Sequence, residues 1–205
     1  MTQIVKPMGR QYQTNCYILT QNDKSIIIDP GMDADKWVLQ NARNPIAILN
    51  THGHFDHIWS NAKLQQELKI LVIIRKEDES MLRSDPYSLG LTPSKADILV
   101  DNEDVITMGD FNFQFLHFPG HTQGCSMIKV DDRIFSGDFI FANTIGRSDF
   151  ATSNPLDMLH SLERFMQVCE EDYPLFAGHG ASTTVLRARK FVPSFIDMLR
   201  TDLML

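Results

Sequence analysis

The stretch Asn50–Trp59, NTHGHFDHIW, puts three of the chain's seven histidines and an aspartate into six positions, directly after the apolar run PIAILN. A polar loop closing a strand can collect such residues by accident. The pattern His-x-His-x-Asp-His nevertheless arises by chance in roughly fewer than one comparable sequence in a thousand, so metal binding is the better reading. Imidazole nitrogen and carboxylate oxygen are donors that zinc and comparable ions take at about 2.0–2.2 Å, with one position left open where the ion is catalytic. In an extended segment residues i and i+2 point the same way, so His52 and His54 can face one ion. Asp56 and His57 follow where the chain turns into a helix, and can face a second ion alongside.

Four groups do not complete two open sites. Three further segments each end an apolar run on a donor: His121 in FPGHTQG, Asp138 in FSGDFIF and His179 in FAGHGAS. Each has a glycine beside it, which permits close backbone approach. A carboxylate has two oxygens, which makes Asp138 the natural ligand to share. Counting then assigns His52, His54 and His121 to one ion and Asp56, His57 and His179 to the other, with Asp138 between them. Two ions held this way lie roughly 3.5–4 Å apart in two-metal hydrolases. The expected cofactors are two divalent ions, zinc first, with iron or a zinc–iron mixture suiting the same donors.

Donors spread over the chain need elements that end together. Strands are expected over YQTNCYIL, KSIIIDPG, PIAILN and ILVIIR, with helices over DADKWVLQNARN, where Asp33 is a plausible N-cap, and over HIWSNAKLQQELK. SDPYSLGLTPSKAD reads as a surface loop. Strands resume at DVITMG, FNFQFLHFP, CSMIKVDD and RIFSGD, with VDDR as a tight hairpin turn. An amphipathic helix over NPLDMLHSLERFMQVCEE starts near Asn154, the strand YPLFAGHG follows, and a last helix over STTVLRARKFVPSFIDML should be kinked or interrupted at Pro193. No repeat, low-complexity tract or linker divides these groups, which favours one layered α/β domain over residues 1–205.

The bulk composition removes several function classes. A net charge of −7 and a pI near 5.4 disfavour a broad grip on nucleic acid or anionic membrane. No apolar run approaches the roughly 20 residues that span a bilayer. The first residues lack the pattern of a secretory signal, so a cytoplasmic location is expected. Cys16, Cys125 and Cys169 are odd in number and far apart, and read as buried free thiols. Nothing in the sequence sets the oligomeric state.

THGHFDH, PGHTQG, FSGD and GHG, in this order after an early IIIDPG, resemble the motifs of the metallo-β-lactamase superfamily, and more narrowly those of its glyoxalase II-like hydrolases. The resemblance spans nearly the whole chain. It implies an αββα sandwich, two mixed sheets packed together with helices outside, and a metal site along one edge. Carried over residue by residue, it implies the same seven ligands. It also implies that Asp29 orients a ligand, where the plain alternative is a turn-forming aspartate before Pro-Gly. Arg147, nine residues after Asp138, is implied to contact an anionic part of the substrate; the ordinary alternative is a salt bridge to Asp149.

The implied reaction is metal-assisted hydrolysis of a small anionic thioester, S-lactoylglutathione or a related acyl thioester. Its nucleophile would be a hydroxide held between the ions, available because bound water has its pKa lowered to about 7. Asp56 and Asp138 are the catalytic carboxylates, Asp56 also accepting or orienting a proton. Glyoxalase II proper has an added C-terminal helical region that contacts glutathione, and this chain ends about one helix after GHGASTTV. A domain without that region is therefore expected, which puts glutathione recognition in question. The alternatives are a persulfide dioxygenase of the same fold, with one iron on His52, His121 and Asp138, or a lactonase. A true β-lactamase is disfavoured by the missing export signal and by Asp138. His117, inside an alternating strand, reads as structural, and His160 as solvent-facing.

Overall fold

Strand β3 (Lys24–Ile28) shows how the layers arise: Ile26 and Ile28 point one way and Ile27 the other, and all are fully buried. A strand that is apolar on both faces must be covered on both faces. In the computed structural model, which describes residues 1–205, Ile26 and Ile28 join a core with Phe113, Phe115 and Phe135 of a second sheet. Ile27 joins a separate core with Val38, Ile58 and Leu64 of the helices outside.

The first sheet runs in sequence order through β1 (Thr2–Met8), β2 (Thr14–Gln21), β3, β4 (Pro45–Leu49), β5 (Leu71–Arg75) and β6 (Ile98–Val100). Its first two pairings are antiparallel and the other three parallel. The second sheet contains β7 (Ile106–Met108), β8 (Phe111–His117), β9 (Ser126–Val130), β10 (Arg133–Gly137), β11 (Pro174–Ala177) and β12 (Thr183–Thr184), in the order β12-β11-β10-β9-β8-β7. Only β10 and β11 are parallel there. Helices α1 (Ala34–Asn41), α2 (Phe55–Ile58) and α3 (Asn61–Leu68) cover the first sheet. Helices α4 (Pro155–Val168) and α5 (Val185–Leu203) cover the second through Leu162, Phe165, Val192 and Ile196. The result is an αββα sandwich of two mixed sheets. No helix is long and apolar enough to cross a membrane.

Several local readings need correction. The helix expected over HIWSNAKLQQELK is two, because Ser60 leaves the helical ladder: its N–H donates to Pro30 O at 2.9 Å and its hydroxyl to Gly31 O at 2.7 Å. Helix α5 runs through Pro193 without interruption, its Val192 and Ile196 face held against α4. Asp33 occupies the N-cap of α1, but its side chain caps nothing; Asn154 caps α4 by accepting from Leu156 N and Asp157 N. A 3₁₀ helix over Lys76–Arg83 and the short strand β6 had no clear sequence signal.

Candidate metal centre

The seven donors converge because the elements carrying them end at one edge of the sandwich. His52 and His54 follow β4, Asp56 and His57 lie in α2, His121 follows β8, Asp138 follows β10 and His179 follows β11. The β10–β11 register slips between Phe135 and Gly137, immediately before Asp138, an irregularity of the kind that re-aims a side chain beside a site.

His52, His54 and His121 bring ring nitrogens within 4.8 Å of one another, and Asp56, His57 and His179 do the same with their donor atoms. Asp138 stands between the two groups. Its Oδ2 is 3.6 Å from His121 Nε2 and 3.4 Å from His179 Nε2, and its Oδ1 is 3.4 Å from His57 Nε2.

The far side of each ring decides which nitrogen faces inward. His121 Nδ1–H donates to Arg147 O at 2.8 Å and His179 Nδ1–H to Tyr12 O at 3.0 Å. A carbonyl can only accept, so both rings present an unprotonated Nε2 when neutral. Thr51 Oγ1 donates to Asp29 Oδ2 at 2.6 Å and therefore accepts from His52 Nδ1 at 3.0 Å. His57 Nδ1 donates to the same Asp29 oxygen at 3.0 Å, and His54 Nε2 pairs with Thr152 Oγ1 at 3.2 Å. Asp29 thus holds His57 directly and His52 through Thr51, with its other oxygen accepting from Thr51 N at 2.8 Å.

Metal ions fit this arrangement on the residues' own showing. His52 Nε2 is buried with no hydrogen-bond partner, and Asp138 Oδ1, also buried, has only the long 3.4 Å contact to His57 Nε2. Buried polar atoms are rarely left so, because the lost hydration costs about 1–3 kcal/mol each. A Cβ at position 178 would overlap Asp138 Oδ1 and lie 2.7 Å from His57 Cε1, so only glycine lets this strand end pass so close to the donors.

The two groups differ in charge. Burial, then the neighbouring histidines, pushes His54 down to about 3; burial also lowers His52 and His121. Burial works against protonation of His179 as well, but hydrogen bonds to Asp138 and Asp56 outweigh it and raise His179 to about 9. His57 is raised by Asp138, Asp56 and Asp29 against its own burial. Asp56 is held down to about 2, burial being overcome chiefly by His57 and His179. A metal must displace a proton from the second group but not from the first. Affinity at the Asp56–His57–His179 group should therefore climb at least about tenfold as pH rises from about 6.5 to 8.5, while the other group stays nearly flat. Chelator competition at the two pH values checks this; equal slopes for both ions contradict it.

One important residue escaped the sequence reading. Asp78, in the 3₁₀ helix and 1% exposed, accepts from Gly53 N at 2.9 Å, Thr122 Oγ1 at 2.6 Å and Gly124 N at 2.7 Å. It ties the loop carrying His52 and His54 to the loop carrying His121. The fit is close: a Cβ at position 124 would meet Asp78 Cγ at 2.7 Å. Thr14 is a second such group, its hydroxyl donating to Asp56 Oδ2 at 2.8 Å.

Arg147 serves through its carbonyl, which holds His121. Its guanidinium points elsewhere, paired with both oxygens of Asp149 at 2.8 Å and lying over the Phe150 ring at 4.4 Å. His117 lies outside the cluster, with Nε2 on Gln123 O at 2.8 Å, and His160 is exposed. All three cysteines are buried and free, and burial raises the pKa of each thiol, so none is poised as a nucleophile. Above the donors opens a cavity of about 270 Å³, walled by Tyr12, Phe55, Tyr87 and Phe150.

The family model described as the metallo-beta-lactamase superfamily matches residues 9–185. The chain is 29% identical to the hydroxyacylglutathione hydrolase GloC of Haemophilus influenzae, over 89% of this chain and 92% of that protein. Among solved structures, the BLEG-1 B3 metallo-beta-lactamase is 31% identical with a TM-score of 0.84, covering 95% of this chain and 99% of that one. TTHA1623, solved in a di-iron-bound form, is 26% identical with a TM-score of 0.77, covering 93% and 100%.

Proposed function

Because the chain belongs to the metallo-β-lactamase superfamily, we propose that it is a dinuclear hydrolase acting on thioesters, in the manner of the glyoxalase II-like members. One observation carries the dinuclear part: the buried carboxylate of Asp138 lies within 3.6 Å of nitrogens from two three-donor groups. The thioester part is supported by the similarity to GloC, and the choice between zinc and iron stays open to either ion by donor chemistry. TTHA1623, with its two irons, is consistent with a pair of ions here.

When bound, such ions lower the pKa of water to about 7 and polarise a carbonyl oxygen. The chain's own residues do the rest. The five histidines are locked in orientation from behind by Thr51, Thr152, Asp29, Arg147 O and Tyr12 O, so little reorganisation is needed at the site. Asp56 stays ionised on the cavity floor, with Oδ2 fixed by Thr14, and offers its carboxylate as acceptor for the proton of an attacking water. Phe55, Tyr87 and Phe150 give the same space apolar walls.

A substrate with an anionic end would meet Arg147 at the cavity rim, beside Phe150, only by competing with Asp149. Asp149→Asn should then lower KM for an anionic thioester, and Arg147→Ala should raise it, each by less than about fivefold because the pair is exposed. kcat should hold, and neutral thioesters should be indifferent. Unchanged KM in both variants would leave Arg147 as a salt-bridge partner with a useful carbonyl.

The test of the reading is a substrate panel on metal-replete protein: S-lactoylglutathione, simple acyl thioesters, a lactone, a β-lactam, and glutathione persulfide with oxygen consumption followed. Thioesters should lead in kcat/KM by at least about tenfold. A β-lactam is the second reading, favoured by the similarity to BLEG-1, and its lead in the panel would replace the first.

A further inference from the structure

Beside the cavity over the donors lies a second one of about 250 Å³, and the two share His54, Phe55, Tyr87 and Phe150. The second chamber is a groove open to solvent, walled further by Met81, Pro86 and Ala151; its polar side chains are His54, Ser84 and Thr152, and no Lys, Arg, Asp or Glu lines it. Aromatic pairs stand on two of its sides: Phe55 meets Tyr87 edge-on at 5.4 Å between centroids, and Phe150 stands 5.6 Å from His54. The surface loop that supplies Pro86 and Tyr87 is folded back on itself. Asp85 accepts from Leu89 N, Gly90 N and Leu91 N at 3.0, 2.7 and 3.2 Å, which uses up its charge outside the chamber. The Arg147 guanidinium lies over Phe150 and is committed to Asp149.

A charged group entering this groove would lose part of its hydration and find no opposite charge there, only the hydroxyls of Ser84 and Thr152 and the His54 ring. An apolar group would gain burial on several sides; a cavity of about 150 Å³ lined by aliphatic and aromatic side chains already holds a benzene ring. Resting on the thioester reading, we infer that the second chamber is a subsite for a neutral, apolar arm of the substrate, an aryl or branched alkyl group the size of a benzyl group. Any anionic end then lies at the rim.

The experiment compares acetyl and phenylacetyl thioesters of one neutral thiol, and the free acids acetate and phenylacetate as ligands of the metal-loaded protein. The phenylacetyl ester should be favoured at least about tenfold in kcat/KM and phenylacetate should bind correspondingly tighter. Ala151→Phe, which fills the chamber, should drive both ratios toward one, and Met81→Ala, which enlarges it, should shift preference toward a naphthyl group. Should no thioester be hydrolysed while phenylacetate still outbinds acetate and Ala151→Phe abolishes the difference, the thioester reading fails and the subsite stands. Thioester hydrolysis with equal rates for acetyl and phenylacetyl, unaffected by Ala151→Phe, overturns the subsite and leaves the thioester reading intact.

Discussion

Asp138→Ala should empty both metal positions and lower kcat/KM by at least about 10³-fold, since the charge stabilisation lost with the ions amounts to several kcal/mol. The expectation follows from placement: the carboxylate is 8% exposed and lies within 3.6 Å of nitrogens from both donor groups. A second effect appears without any metal. Asp138 is a main source of the raised pKa of His57 and His179, so both should fall in the variant, and NMR titration of the metal-free protein would read this directly. Asp138→Asn keeps the volume and removes the charge, and should give the same metal loss in a folded protein. If either variant retains both ions at parental affinity, Asp138 is not shared.

Asp78→Ala should be the most damaging change away from the donors themselves. It strands two buried N–H groups, of Gly53 and Gly124, at about 1–3 kcal/mol each, and leaves a cavity, for a total of about 3–5 kcal/mol. That is a large share of the 5–15 kcal/mol that ordinarily holds a domain together. Burial also pushes the Asp78 carboxyl above the ordinary aspartate value, against the pull of Thr122, Gly124 and Gly53. Asp78→Asn serves if the alanine variant does not fold, because the amide can still accept from one or two of the three donors. The damage should be selective: the ion on His52, His54 and His121 weakens by at least about tenfold, while the ion on Asp56, His57 and His179 is nearly unaffected. Thermal unfolding and per-site cobalt titration measure the two parts. Equal loss at both sites, or none at either, contradicts the tie between the two loops.

That these residues would come together was legible in the sequence because His121, Asp138 and His179 each end an apolar strand next to glycine and the histidine-rich stretch follows another strand, and strand ends of one sandwich meet along one edge. The layers were legible for a related reason: β3 and β5 are apolar on both faces, and such strands must lie between two covers. Asp78 was hidden by its surroundings. It sits in Arg75–Leu82, RKEDESML, where acidic and basic neighbours read as solvated charge. The 3₁₀ helix buries Asp78 and Leu82, which are four positions apart where its turn repeats every three, so no periodic pattern marked Asp78 as buried. Of the groups behind the rings, Asp29 was anticipated from the family resemblance, but two others are backbone carbonyls, of Tyr12 and Arg147, and a carbonyl leaves no mark on residue type. The helix break at Ser60 depends on the carbonyls of Pro30 and Gly31, about thirty positions earlier, which no local pattern can register.

The most direct measurement is a metal titration of carefully stripped protein, zinc or cobalt added in steps, with binding and hydrolytic activity followed together. Two donor groups joined by Asp138 predict saturation at two ions per chain, with the first equivalent entering the proton-free His52–His54–His121 group at neutral pH and full activity reached only with the second. Saturation of both binding and activity at one ion per chain would contradict the dinuclear centre.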